Sequence, residues 1–137
     1  MIFESFIKSG KVIKGEKDFD KSKALIKMSD NSLMTASKIQ INETSAAIVL
    51  TVTYESMREL LEAMCLREGY KVYSHEAYTA FLKNINDHEL AEKFDRFRKL
   101  RNGVNYYGDS VSETLAKSTI NEITELNKKI KEKYLKC

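Results

Sequence analysis

The feature that most limits how this chain can fold is the absence of proline from all 137 residues, alongside only five glycines. Strand-rich folds spend these residues on their turns, so a chain that nearly lacks them is expected to form long helices joined by short connections. Its hydrophobic content of 42% is enough to bury one core, and residues 1–137 are expected to form a single domain.

Apolar spacing supports the all-α class. Ile2, Phe3, Phe6 and Ile7 form a short apolar turn that ends at Ser9-Gly10, and KVIKGEK follows as a connector. Asp18 and Asp20 mark a helix start, and Ala24, Leu25, Met28, Leu33, Ala36 and Ile39 carry the stripe of a first long helix. Asn42 to Thr44 can cap a second, whose face includes Ala47, Leu50, Tyr54, Met57, Leu61, Met64 and Cys65 before Gly69 stops it. AAIVLTVT within it is rich in β-branched residues, but the regular stripe that follows favours a buried helix.

Ser74 opens a third helix and Asp87 a fourth, the latter striped by Leu90, Phe94, Phe97 and Leu100. A break is expected from Gly103 to Gly108, after which Ser110 or Ser112 starts a last helix with Leu115, Ile120, Ile123, Leu126, Ile130 and Tyr134 facing inward. The expected architecture is an antiparallel up-and-down bundle of four long helices plus a short N-terminal helix.

Several functions lose support at this level. The chain shows no glycine-rich phosphate loop, HExxH, CxxC or nucleophile elbow. Its two histidines, His75 and His88, fall on different expected helices, and the Glu-x-x-His pairs of di-iron bundles are missing, so neither a metal nor another cofactor is expected. Two cysteines, Cys65 and Cys137, give no disulfide framework, and MIFESFIKSGKVIK lacks the pattern of a secretory leader. The longest apolar run, AAIVL, is too short to span a bilayer, so a cytoplasmic location without membrane attachment is expected. Net charge is a mild +3, yet Lys128, Lys129, Lys131, Lys133 and Lys136 crowd the C-terminal end. Such a cluster can attract phosphate, although lysines also suit a helix C-terminus and a solvated face.

The polar stretch KLRNGVNYYGD, residues 99–109, stands out. The Arg101 guanidinium can clamp a phosphate, Asn102 and Asn105 can donate to a phosphate oxygen or a ribose, and Tyr106 and Tyr107 can donate a proton or stack on a base. The same residues also make an ordinary helix end, because Arg, Asn and Gly commonly stop helices.

Nearly the whole chain resembles the HEPN domains, an all-helical family named for higher eukaryotes and prokaryotes nucleotide binding. Three segments carry the resemblance in order: GKVIKGEKDFDKSKALIKMSDNSLMTA, YESMRELLEAMCLREGYKVYSHEAYTAFL and RKLRNGVNYYG. The likeness is to stand-alone archaeal and bacterial members, often encoded beside a minimal nucleotidyltransferase. Active members are metal-independent ribonucleases, often toxins, whose site forms across a symmetric dimer from an Arg, a following polar residue and a His a few positions later. The resemblance therefore implies a homodimer, with Arg101 as the motif arginine and Asn102 as the motif polar residue. The histidine position falls at Tyr106, whose phenol, with an unperturbed pKa of about 10, is a poor base compared with imidazole. Two readings follow: a toxin-like metal-independent endoribonuclease with a variant Arg-Asn-x3-Tyr motif, or a non-catalytic module that dimerises and binds a nucleotidyltransferase partner or a nucleotide. In the first, Arg101, Asn102 and Tyr106 are catalytic, and Asn105, Tyr107 and Glu62 bind or support the substrate, with Glu62 either orienting Arg101 through an ion pair or making an ordinary solvated Glu-Arg pair. In the second, the tyrosine pair serves modification or interface packing. His75, in the first turn after Ser74, is a candidate replacement base but is read mainly as a packing or surface residue, and Cys65, Met57 and Met64 as core.

Overall fold

A computed structural model describes residues 2–108 and 110–136, with the side chains of Tyr106 and Tyr107 outside the described residues. Among these, the chain forms six helices: α1 (Phe3–Lys8), α2 (Phe19–Lys38), α3 (Ala46–Arg67), α4 (His75–Asn84), α5 (His88–Tyr107) and α6 (Glu113–Tyr134). Two three-residue strands accompany them, β1 (Val12–Lys14) and β2 (Tyr70–Val72). The protein is mostly helical, as the scarcity of turn residues requires.

Helix starts follow capping chemistry. The Asp18, Asp87 and Ser112 side chains accept from the backbone N–H of Lys21, Leu90 and Leu115, satisfying donors that the first turn of a helix leaves open. Ahead of α3, the Asn42 side-chain oxygen accepts from the N–H groups of Thr44 and Ser45.

α3 is the central element. Fourteen of its residues are buried, among them Leu60 and Leu61; its β-branched start is helical, with Val49, Leu50 and Thr53 buried and Ile48 exposed. Small residues bring α2 close against it: Ser22 Oγ donates to the Ala63 carbonyl at 3.0 Å and Ser29 Oγ to the Ser56 carbonyl at 2.6 Å. These pairs run in opposite directions, so α2 and α3 are antiparallel. On another side Asn127 Nδ2 of α6 donates to Ser56 Oγ at 3.1 Å, while Arg67 Nη1 reaches the Lys136 carbonyl at 3.0 Å, so α6 advances with α3. Tyr54 meets His75 and Arg58 meets Tyr78, which gives α4 the same sense as α3.

That parallel step needs a return path, and β2 provides it. KVIKGEK, expected as a plain connector, instead contributes β1, which pairs antiparallel with β2 in the register Val12↔Val72, Ile13↔Lys71 and Lys14↔Tyr70. Val12 points into the core, and Phe3 of α1 packs edge-on against Tyr70 and Phe81. The ladder continues as Gly15 N–H donates to the Gly69 carbonyl at 2.7 Å. Gly69 has φ +86°, and a Cβ there would stand 2.4 Å from the Gly15 carbonyl oxygen, so no other residue fits without movement.

The expected break at Gly103 does not occur. α5 continues to Tyr107 and ends at Gly108, in the left-handed conformation common just past a helix end. Leu100 and Val104, on either side of Gly103, pack on a second core cluster of Ala46, Leu50, Val111 and Ala116, and this burial outweighs the roughly 1 kcal/mol helical cost of a glycine.

Candidate functional site

Because α5 stays helical through Gly103, Arg101 and Asn102 are held by a formed turn rather than by a loop. They line an open cleft with Arg98 of the same helix and with Tyr73, Ser74, His75 and Glu76 at the start of α4. Arg101 Nη1 donates to Asn102 Oδ1 at 3.3 Å, which leaves the Asn102 amide NH2 for other partners. Thus two residues chosen from the sequence share one polar, arginine-rich cleft.

Tyr54 of α3 organises its inner wall. Its ring is 1% exposed and stacks on Phe94 with centroids 5.6 Å apart. The Arg101 guanidinium lies over the same ring, 5.6 Å from the centroid, a cation–π arrangement. Tyr54 Oη and His75 Nδ1 share a hydrogen bond at 2.9 Å. Burial raises the phenol pKa of Tyr54, so it stays protonated throughout the neutral range.

His75 therefore belongs to the cleft, a place that sequence reasoning gave less weight than packing. Burial pushes its pKa down to about 4, and the Arg58 and Arg101 charges push in the same direction. The imidazole is accordingly neutral at pH 7. No local signal could have shown this, because Tyr54 and His75 are 21 residues apart and meet only through the parallel placement of α3 and α4.

The remaining predicted residues are dispersed. Glu62 does not make the ion pair expected with Arg101; it pairs with Arg58 Nη1 at 2.6 Å, and Arg58 Nη2 also contacts Glu55 at 2.6 Å. Geometry explains the change: Arg101 sits over Tyr54, and Glu62 lies eight residues farther along α3, roughly 12 Å at 1.5 Å per residue. Asn105 is exposed and lines a separate groove with Ala47, Ile48, Thr51, Val52 and Val104. Tyr106 and Tyr107 fall on the last turn of α5, and their side chains lie outside the described residues.

Cys65, Met57 and Met64 are buried in the main core, and burial raises the Cys65 thiol pKa well above its ordinary value, which disfavours the reactive thiolate. His88 is exposed at the start of α5. Among the described residues no three His, Cys, Asp or Glu side chains come together in a way that could hold a metal ion. Three lysines of the C-terminal cluster make ion pairs: Lys131 with Asp30, Lys128 with Glu125 and Lys133 with Asp87. No described helix is long and apolar enough to cross a membrane.

No protein-family model matches the chain, and no curated protein or solved structure matches it either.

Proposed function

We propose that the chain is a HEPN-type protein of a two-gene, toxin-antitoxin-like module, and that the Arg101 cleft binds RNA and cleaves it without a metal. In this reading the long helices α2, α3, α5 and α6 alternate in direction as an up-and-down bundle, and the protein acts as a cytoplasmic homodimer. The observation that carries it is the placement of Arg101 and Asn102 side by side on one open cleft with Arg98 and His75. The Arg101 guanidinium and the Asn102 amide suit the charge and hydrogen-bonding needs of a phosphodiester, while Arg98, held by Asp95 at 2.8 Å, lines the cleft as one half of an ion pair.

The reaction class is transesterification. The ribose 2′-oxygen attacks the adjacent phosphorus, the bond from phosphorus to the 5′-oxygen breaks, and the products are a 2′,3′-cyclic phosphate and a free 5′-hydroxyl. Arg101 stabilises the charge that builds on the non-bridging oxygens, and Asn102 orients the phosphate. Tyr106, at the position where the resemblance implies histidine, acts in positioning or protonation. The test is cleavage of a single-stranded RNA in EDTA by wild type and Arg101→Ala: cleavage by wild type and loss in the variant is expected, and equal rates or no cleavage by either overturns the reading.

A second reading has its own observation. Ile48 is 59% exposed and lies with Val52, Val104 and Asn105 along a mostly apolar groove between α3 and α5, a surface suited to protein contact. It favours a non-catalytic module that dimerises and holds a minimal nucleotidyltransferase. Co-purification with the product of a neighbouring nucleotidyltransferase gene supports this module, and purification alone with no such neighbour removes it.

A further inference from the structure

Phosphodiester transesterification needs a group that accepts the 2′-hydroxyl proton, and a phenol is poorly suited to it near neutral pH. The cleft already contains an imidazole. Arg101 and His75 both contact Tyr54, the first over the ring face and the second through the hydroxyl, so one buried side chain fixes the spacing between a phosphate-binding cation and a histidine. Since Tyr54 occupies Nδ1, Nε2 is the ring nitrogen left for a ligand in the cleft.

We infer that His75 is the proton-accepting residue of the Arg101 cleft and that Tyr54 is the positioning residue that fixes its ring; this rests on the phosphodiester-cleaving reading proposed above. Proton acceptance requires the tautomer in which Nδ1–H donates to Tyr54 Oη and the phenol proton turns away from the ring, so that Nε2 presents a lone pair to the 2′-hydroxyl. The proton passes from the 2′-oxygen to Nε2 as the bond from the 2′-oxygen to phosphorus forms. The bond from phosphorus to the 5′-oxygen then breaks, the 5′-oxygen takes a proton from water, and the imidazolium returns its own proton to solvent.

The surroundings make this base dependent on its substrate. Arg58 and Glu55 of α3, Arg98 and Arg101 of α5 and Glu76 of α4 are the charged groups around the ring. In the free protein burial and the nearby arginines keep the imidazole neutral and weakly basic. A phosphodiester seated against Arg101 brings a negative charge beside it, which offsets the arginine field and strengthens the base only when RNA is bound.

The test uses the full chain and a single-stranded RNA oligonucleotide in EDTA, with circular dichroism to verify folding. His75→Ala is expected to lower the cleavage rate by about 100-fold or more, with partial recovery on adding imidazole. Tyr54→Phe, which keeps the ring, is expected to reduce the rate by roughly 10-fold and to displace the acidic limb of the pH–rate profile. An unchanged rate in folded His75→Ala, or a loss that imidazole does not restore, overturns the assignment to His75 while cleavage that depends on Arg101 still stands. An unmoved profile in Tyr54→Phe overturns the positioning role. Absence of cleavage by the wild type removes the cleavage reading and the role of His75 together.

Discussion

Tyr54 Oη and His75 Nδ1 are 2.9 Å apart, joining the middle of α3 to the first residue of α4 inside a wall that also carries Arg101. The burial of His75 and the arginines beside it have a consequence for stability even without RNA. With a folded-state pKa of about 4 against the ordinary 6.5, His75 binds fewer protons when folded than when unfolded between these values. Stability therefore rises with pH across that window and falls as the solution is acidified through it. Unfolding free energies from urea denaturation at pH 7 and pH 4.5 are expected to differ less in His75→Gln than in wild type, by roughly 1 kcal/mol once partial exposure of the ring is discounted. An equal pH response in the two proteins would remove this contribution.

Arg58 is expected to matter for stability more than a surface arginine. Its side chain is mostly buried, pairs with Glu55 and Glu62 and donates to Tyr78 Oη at 3.3 Å. Arg58→Met keeps much of the stem but leaves two carboxylates without their cation, so a loss of about 1–3 kcal/mol is expected in urea denaturation. Arg96, more exposed in its pair with Glu122, is the comparison: Arg96→Met is expected to cost about 0.5 kcal/mol or less.

Glu59 should respond in the opposite sense to His75. It is 3% exposed, and burial raises its pKa even though Ser32 Oγ donates to its Oε1 at 3.1 Å. The native state thus holds the proton more tightly than the unfolded chain, and this carboxyl lowers stability as pH rises through its titration. Glu59→Gln keeps the shape and the acceptor oxygen without the charge. It is expected to raise the thermal midpoint at pH 7, with the gain shrinking on acidification; a lowered midpoint at pH 7 would contradict this account.

Gly69→Ala tests the junction of the two strands. The left-handed φ and the 2.4 Å approach to the Gly15 carbonyl oxygen leave no room for a methyl group. A loss of about 1–3 kcal/mol is expected, together with faster amide exchange at Gly15, whose N–H is bonded to the Gly69 carbonyl. Gly10→Ala, with positive φ but nothing within 4 Å of the added carbon, is expected to cost less.

The helices were legible because their signals are local. Asp18, Asp87 and Ser112 cap within their own first turns, and the stripes of α2 and α6 repeat often enough to identify their elements. β1 and β2 were not, because three residues carry no usable alternation and each strand finds its partner 56 to 60 residues away. Gly103 was misread for a related reason: glycine weakens a helix locally, whereas the packing of Leu100 and Val104 that keeps α5 intact is tertiary. At the site, Arg101 and Asn102 could be found because they are adjacent, while the Tyr54–His75 contact and the diversion of Glu62 to Arg58 depend on how α3, α4 and α5 are placed.

The β1–β2 pairing also sets an order of events during synthesis. Val12 cannot meet its partner until residue 72 has left the ribosome, and Phe3 waits longer, for Phe81. The segment that carries Phe3 and Phe6 therefore stays unseated until those partners are made, and its two phenylalanines are exposed meanwhile to other chains and to chaperones.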